Sequence, residues 1–227
     1  MLLKRRARIG GSMLIQLMLG LLVGLIVLMG VTQFFVSQMT SNTDLLKATR
    51  LNQELRAVMD LTVRDIRRGA YWANAISGVW YDGSTGVVAN PLQSITIGTT
   101  ADPTATTTGN SITYSYDVNG DGALTAATDT FTIQLNNNTV ELVQNGTTTA
   151  LSDPGSTRIT ALTFSVSPSA VPVTCTVTGS NPTLTVREIT ITLTGQLVND
   201  TTVTRTLRET VRIRSDNIVG ACPPVVT

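Results

Sequence analysis

The chain begins with a long apolar run, continues in an amphipathic segment and ends in short alternating runs. Residues 14–36 are almost wholly apolar, interrupted by Gln16, Thr32, Gln33 and small glycines. About 20 apolar residues suffice for a helix to cross a bilayer. No charged residue lies within positions 12–43. The pattern therefore predicts a membrane-spanning helix in this part of the chain.

The next segment has the periodicity of a helix that buries one side. Residues of the predicted stripe recur at helical spacing: Leu51, Leu55, Val58, Thr62 and Ile66, with Leu45, Leu46, Met59 and Val63 widening it. Because no proline interrupts residues 1–90, we predict one helix from about Met13 to about Tyr71, roughly 90 Å long at 1.5 Å per residue. We expect Gly69 to end this helix, and we expect Tyr71 and Trp72 to be core residues.

From Ser94 onwards, runs rich in threonine, valine and isoleucine alternate with turn clusters, which predicts β-strands. The predicted strands are Ser94–Gly98, Ser111–Tyr116, Thr130–Leu135, Thr139–Gln144, Arg158–Val166, Pro172–Thr178, Leu184–Leu197 and Thr202–Arg214. Turns are expected at 136–138 and 145–146, a hairpin loop at 198–201 and a mobile surface loop at 99–110. The predicted fold class is α+β, with a long N-terminal helix packed on an antiparallel β-sheet C-terminal domain.

Composition then removes several classes of function. The chain has no histidine, two cysteines and a formal net charge of +1. Histidine-dependent catalysis, His-ligated zinc and four-thiolate metal clusters are excluded. With no nucleophile motif either, we expect no enzymatic activity. The late arginines are expected on a solvated sheet face rather than in a stripe for DNA or a partner subunit, and no nucleic-acid site is evident. They are Arg187, Arg205, Arg208, Arg212 and Arg214.

The segment DVNGDGALTAATD, residues 117–129, has the spacing of a calcium loop. Its candidate ligands are Asp117, Asn119, Asp121, the Ala123 carbonyl and Asp129. With Gly122 at the sharp turn, the segment resembles an EF-hand-type loop. Thr128 stands where such loops carry a bidentate glutamate, and Asp129 follows one place later. The sequence leaves two alternatives open, a Ca²⁺ site and an Asx-rich hairpin turn.

The N-terminus carries a processing motif. Four basic residues come first: Lys4, Arg5, Arg6 and Arg8. The stretch KRRARIGG followed by SMLIQLMLGLLVGLIVLMGV resembles a class III, prepilin-type signal. The resemblance implies that a prepilin peptidase cleaves after Gly11 and methylates Ser12, while the apolar helix stays in the mature protein. The alternatives are an uncleaved signal anchor and a cleaved secretory signal peptide; against the second, the run lacks a convincing A-x-A-like site.

Position five of the mature chain departs from the prepilin pattern. Pilins usually carry glutamate there, and that carboxylate is thought to pair with the free amine of a neighbouring subunit in an apolar filament core. Here the residue is Gln16, which accepts a hydrogen bond but does not neutralise the amine. In the related type II secretion pseudopilins, the subunit without this glutamate is the tip subunit. We therefore expect a position at or near a filament tip, the alternative being a tolerated variation.

The amphipathic segment and the last strands extend the resemblance. The block LNQELRAVMDLTVRDIRRGAYWA resembles that of PilW-type minor pilins. Gly69 and Ala70 are swapped relative to the usual order in these proteins. The pattern VREITITLTGQL…TRTLRETVRIR also resembles the C-terminal sheet of these proteins. The resemblance implies a minor pilin that helps to initiate type IV pilus assembly. Its implied partners are other minor and major pilins, prepilin peptidase and the inner-membrane assembly platform.

This resemblance divides the chain and places it in the cell. The expected parts are a leader at 1–11, a transmembrane or filament-core helix at 12–43, the amphipathic half of the helix at 44–75 and a β-rich periplasmic domain at 76–227. The basic leader is expected in the cytoplasm. The protein would wait in the bacterial inner membrane as a single-pass protein and then move to the pilus at the cell surface. The alternatives are a type II secretion pseudopilin and a membrane-anchored adhesin.

The two cysteines are the last candidate site. In an exported domain, an isolated pair such as Cys175 and Cys222 is expected to form a disulfide, and pilins often staple their C-terminal region in this way. The bridge would close a loop of about 47 residues and contribute about 4 kcal/mol in the chain-entropy model. Two free thiols are the alternative.

Overall fold

A computed structural model of the chain describes residues 12–78, 88–175 and 181–219. Helix α1 spans Ser12–Ile66, so the predicted long helix is confirmed but ends before Tyr71. The chain divides into two units, residues 1–47 and residues 48–227. Gly11 and Cys222 lie outside the described residues.

The first unit consists, in its described part, of the apolar half of α1. All its side chains from Met13 to Leu46 are exposed. Its threonine hydroxyls donate hydrogen bonds back to main-chain carbonyls one turn earlier, from Thr32 to Leu28 at 2.9 Å and from Thr40 to Val36 at 3.0 Å. These polar groups are therefore satisfied within the helix, as a bilayer requires.

The remaining elements belong to the second unit. Its strands are β1 (Ile95–Ile97), β2 (Thr100–Ala101), β3 (Thr107–Gly109), β4 (Ser111–Ser115), β5 (Thr130–Asn136), β6 (Thr139–Gln144), β7 (Thr147–Ala150), β8 (Thr157–Pro172), β9 (Thr183–Leu197), β10 (Thr204–Arg212) and β11 (Asn217–Val219). The short helices are a 3₁₀ turn at Ala75–Gly78 and α2 at Ala126–Asp129. The predicted α+β class is thus confirmed.

Within the described residues, the strands form two antiparallel sheets. Sheet A has the order β2-β1-β4-β5-β6-β7, and sheet B has the order β10-β9-β8-β3, with β11 also paired to β9. The predicted turns are confirmed: Asn137 and Asn138 have φ of 46° and 63°, and Asn145-Gly146 has φ of 49° and 74°. These left-handed conformations suit asparagine and glycine in tight hairpins.

The amphipathic half of α1 packs on both sheets. Its stripe from Leu51 to Ile66 is buried, as predicted, in one core cluster with residues of both sheets. Leu45 and Leu46 are 63% and 72% exposed, so their place in the stripe was predicted wrongly. They lie in the first unit, before the buried part of the helix begins at Leu51.

The chain turns sharply after α1. The Ala70 main-chain nitrogen donates to the Ser115 carbonyl at 2.7 Å, and Ala70 has φ of 60°. The backbone at Gly69 passes so close to the Ile66 carbonyl that an added Cβ would lie 2.9 Å from that oxygen. Trp72 is buried as predicted, but Tyr71 is 49% exposed, because the turn directs it away from the core.

Two predictions about the strands were wrong. The expected loop at 99–110 contains β2 and β3, because these short segments pair with β1 and β8. The expected strand at Pro172–Thr178 does not begin there. Instead β8 runs on to Pro172, residues 173–175 form no strand, and residues 176–180 lie outside the described residues.

Hydroxyl pairs link neighbouring strands. Among them, Thr113 and Thr132 join β4 to β5 at 2.8 Å between hydroxyl oxygens, and Thr194 and Thr206 join β9 to β10 at 2.9 Å. Such cross-strand pairs stabilise a sheet by about 0.2–1 kcal/mol each. The abundance of threonine therefore serves the sheets beyond its strand propensity.

Candidate assembly helix and Asp-rich loop

The apolar half of α1 presents an unbroken uncovered surface. Among the described residues, α1 is the one helix that is long and apolar enough to cross a membrane. No part of its most apolar stretch is buried by the chain itself. Gln16 lies on it, near the helix start at Ser12. A Cβ added at Gly20 or Gly24 would meet no atom within 4 Å. These positions are thus open to close approach by another helix.

In the Asp-rich loop, the Asp117 carboxylate is enclosed by main-chain donors. Its Oδ1 accepts from Gly120 N at 2.6 Å, and its Oδ2 accepts from Gly122 N at 2.9 Å and Ala73 N at 3.2 Å. Burial alone would raise the pKa of this carboxyl, but these donors hold the pKa below its usual value. The ionised side chain therefore organises the loop and ties it to the segment after α1.

Asp129 closes the other end of the loop. It is fully buried, and its Oδ2 accepts from Thr125 N at 2.8 Å. At the exposed tip, Asn119 Nδ2 donates to Asp121 Oδ2 at 2.8 Å, and Ala123 N donates to Asp121 Oδ1 at 2.8 Å. In the part of the chain that is described, no group of three or more acidic, histidine or cysteine side chains is gathered as a metal site.

The loop is therefore built as a turn in which carboxylates accept from the backbone. The sequence-predicted ligands lie in one loop, and side-chain oxygens of Asp117, Asp121 and Asp129 accept hydrogen bonds from main-chain N–H groups. Trp72 holds the loop in place, since its indole Nε1 donates to the Gly122 carbonyl at 2.7 Å. Calcium binding here stays a prediction of the residue spacing.

Cys175 lies just after β8 and is partly buried. Its main-chain nitrogen donates to Asn181 Oδ1 at 3.2 Å. Its predicted partner, Cys222, is outside the described residues, so the pairing stays a prediction.

Sequence reasoning missed two contacts that fix α1 on the sheets. The Glu54 carboxylate accepts from the hydroxyls of Ser156, at 2.9 Å, and Thr157. The Tyr114 hydroxyl donates to Asp65. No periodicity identifies the partners of these acids, which lie about 50 to 100 positions away in the chain.

Arg187 is also not where the sequence placed it. The side chain is only 3% exposed, donates from Nη1 to the Gln93 carbonyl at 2.6 Å and lies 3.6 Å from Asp102. Burial lowers the pKa of Arg187, while Asp102 and Asp216 act in the opposite direction. Its odd position on β9 puts it on the side of Ile189 and Ile191, a signal that the alternation already contained.

An N-terminal helix that could cross a membrane, followed along the same helix by a half that packs on an antiparallel sheet domain, defines a pilin-like protein. The family model of prepilin peptidase-dependent protein B matches residues 44–213. This is more than half of the chain, so the chain belongs to that family. Neither a search of the curated proteins nor a search of the solved structures found a match.

Family membership bears on processing. It supports prepilin peptidase as a partner of this chain. The match begins at residue 44, after the apolar half of α1, and thus does not include the leader at 1–11. The cleavage position therefore rests on the leader's own residues.

Proposed function

We propose that this chain is a PilW-type minor pilin that takes part in the assembly and priming of type IV pili. The observation that carries the proposal is the apolar half of α1, whose side chains from Met13 to Leu46 are all exposed. Such a surface needs either lipid or the helices of other subunits around it. A filament assembled from the membrane supplies both environments in turn.

The proposed mechanism is an exchange of surroundings without bond chemistry beyond processing. Prepilin peptidase cleaves after Gly11 and methylates Ser12, and the helix then leaves the bilayer for the filament core. Lipid tails are as apolar as the filament core, so association depends on close packing. Gly20 and Gly24 form a small-xxx-small pair that lets a neighbouring helix approach.

Gln16 supports a place at or near the filament tip. A glutamate at this position would neutralise the amine of an adjacent subunit, whereas the amide leaves that charge without a counter-charge in an apolar core, which is unfavourable. A terminal subunit has fewer neighbours to neutralise. The partners are other minor and major pilins and the inner-membrane assembly platform, with the leader in the cytoplasm and the β domain in the periplasm before assembly.

The experiment that tests processing is mass spectrometry of the purified full-length product. We expect a mature chain that begins at N-methylated Ser12 in cells with prepilin peptidase and an intact leader in cells without it. A chain that keeps Met1 to Gly11 in both strains contradicts the proposal. Recovery in sheared surface pili, rather than only in strains with a type II secretion system, separates a pilin from a secretion pseudopilin.

Immunogold labelling tests the tip position. We expect gold at filament ends in wild type and along the shaft in Gln16→Glu, because the restored carboxylate allows internal positions. Even labelling of the shaft by both proteins contradicts the tip proposal while leaving the pilin proposal intact.

Calcium binding by the loop at 117–129 is a separate proposal. It is supported by the alternation of Asp117, Asn119 and Asp121 directly ahead of Gly122, a pattern of oxygen ligands that Ca²⁺ prefers. Asp117, Asn119, Asp121, the Ala123 carbonyl and Asp129 would hold the ion.

A further inference from the structure

Sheet A extends sideways beyond the helix that covers it. One row of paired residues crosses the sheet from Ile97 through Ile112, Ile133 and Leu142 to Thr149. The first three are at most 1% exposed, Leu142 is partly buried and Thr149 is exposed. Paired residues point to the same face, so along this row the face becomes steadily less covered from β5 to β7, although Val140 on the same face of β6 is buried. We call the part of this face formed by Leu142 and by β7 the overhang.

The overhang and the side of α1 form a step-shaped groove. A hollow of about 490 Å³ lies between them, lined by Leu61 and Arg64 from the helix and by Ile133, Leu142 and Leu151 from the sheet side. A second hollow of about 220 Å³ shares Leu151 and continues along the helix to Glu54. The groove is therefore elongated and runs beside α1.

The dimensions of the groove suit one helix. Two strands at a spacing of about 4.8 Å provide a strip about 10 Å wide. Packed helices lie about 8–10 Å apart axis to axis. A helix laid on the overhang would thus also contact α1. Leu61, 39% exposed at the helix side, and Leu142 at the floor would meet its apolar face.

The rim of the groove carries an uncompensated positive charge. Arg68 is engaged, since its guanidinium lies 3.7 Å from Asp65 and 4.5 Å above the Tyr116 ring. Arg64 is exposed and has no ion pair within the described residues. An occupant with a carboxylate near this end would complement it.

We propose that the groove binds an amphipathic helix of another subunit of the same filament, with an aliphatic face on Leu61 and Leu142 and a carboxylate at Arg64. This inference rests on the proposed pilin function. A strand added to the free edge of β7 would lie beside the sheet, so it would neither cover Leu142 nor reach Arg64. A helix satisfies both.

Site-specific photocrosslinking tests the occupant in cells that assemble pili, using the full chain. A benzoylphenylalanine replaces Thr149, on the overhang, or Thr148, the adjacent exposed residue on the opposite face of β7. We expect the probe at 149 to crosslink a helical segment of another prepilin-type subunit, mapped by mass spectrometry. The probe at 148 is the matched control and is expected to give about tenfold less of this product.

Charge variants test the rim. Arg64→Glu is expected to reduce the crosslink about tenfold, since it replaces an attraction by a repulsion. Arg67→Glu is the matched control, because Arg67 is exposed in the turn directly after α1 but does not line the groove. It is expected to leave the crosslink unchanged. Thr149→Arg, which fills the groove from an exposed position, is expected to reduce co-purification of the partner, and Thr148→Arg is not.

The outcomes separate this inference from the proposed function. A crosslink at 149 to a helix of another subunit that is lost in Arg64→Glu supports it. A crosslink to a strand, to a second copy of this chain or to no subunit overturns it, provided that the wild-type chain is processed and recovered in pili. If the wild-type chain is neither processed nor recovered in pili, the proposed function itself has failed and the groove proposal falls with it.

Discussion

The close contact between α1 and sheet B at Gly195 allows a quantitative test of the packing. A methyl group added at Gly195 would lie 2.8 Å from Leu55 Cδ2 and 3.3 Å from Ile159 Cδ1. Leu55 is fully buried, so its side chain has little room to move. Gly195→Ala is therefore an overpacking change, expected to lower the free energy of unfolding by about 1–3 kcal/mol.

The change at Leu55 removes volume from the same contact instead of adding it. Leu55→Ala leaves a cavity and is expected to lower the free energy of unfolding by about 2–5 kcal/mol. In the double variant, the new methyl at 195 no longer meets Leu55 and partly fills the cavity. The two losses are thus expected to be less than additive, with a coupling of about 1–2 kcal/mol.

The assay is urea unfolding followed by circular dichroism on a fragment of residues 44–227, in the wild type, both single variants and the double variant. The matched control pairs Leu55→Ala with Thr206→Ala, an exposed change on β10, for which additivity is expected. Losses that add to within about 0.5 kcal/mol for Leu55 and Gly195 would refute the inference that this helix packs against the sheet through the missing side chain at 195.

Three further predictions concern the acidic residues. Backbone donors lower the pKa of Asp117. Its stabilising effect is therefore present above about pH 4, the usual pKa of a free aspartate, and is lost as pH falls through the lower folded value. In acid titrations, the stability difference between wild type and Asp117→Asn should be constant near neutrality and shrink below about pH 4, and a difference independent of pH contradicts this. Calcium is expected to raise the melting temperature of wild type relative to EDTA but not that of Asp121→Ala, measured by calorimetry, whereas equal responses mean that the loop is only a turn. Glu54→Ala is expected to lower the free energy of unfolding by about 2 kcal/mol because it leaves the buried Thr157 hydroxyl without its acceptor. The control is Asp60→Ala, which changes an exposed acid on the same helix and is expected to have little effect. Equal losses in urea unfolding would argue against the Glu54 contact.

The helix could be predicted from the sequence because its signal is local. The spacing of Leu51, Leu55 and Ile66 defines one side of a helix without reference to the rest of the chain. The same periodicity does not say where the partner surface begins, so Leu45 and Leu46 were wrongly assigned to the buried stripe. Burial is decided by the element that lies opposite, and the pattern contains no information about that element.

The strands at 100–101 and 107–109 show the opposite case. Their composition is that of a loop. The first pairs locally with β1, whereas the second becomes a strand because the distant β8 provides an edge for it, as Ser165 does for Thr108 through a hydroxyl contact of 3.2 Å. A local sequence pattern does not determine the pairing register with a segment more than 50 positions away.

In the candidate sites, residue types were easier to predict than partners. The acids of the loop were identified from their spacing, but their backbone donors include Ala73, which is 44 positions away from Asp117. The pattern of strand β9 placed Arg187 on the apolar side, and the charge of the residue outweighed that pattern in the prediction. Alternation was the better guide because the buried Nη1 of Arg187 donates to the Gln93 carbonyl and lies 3.6 Å from Asp102.

The threonine pairs between neighbouring strands have a consequence for the medium in which the domain works. A hydroxyl-to-hydroxyl bond carries no net charge, so it is neither screened by dissolved salt nor switched by acidity, unlike a surface ion pair. Strands joined in this way keep the same hydrogen bonds at low salt, at high salt and at mildly acidic pH. The contacts between these strands therefore do not depend on the salt concentration or the acidity of the solution around the domain.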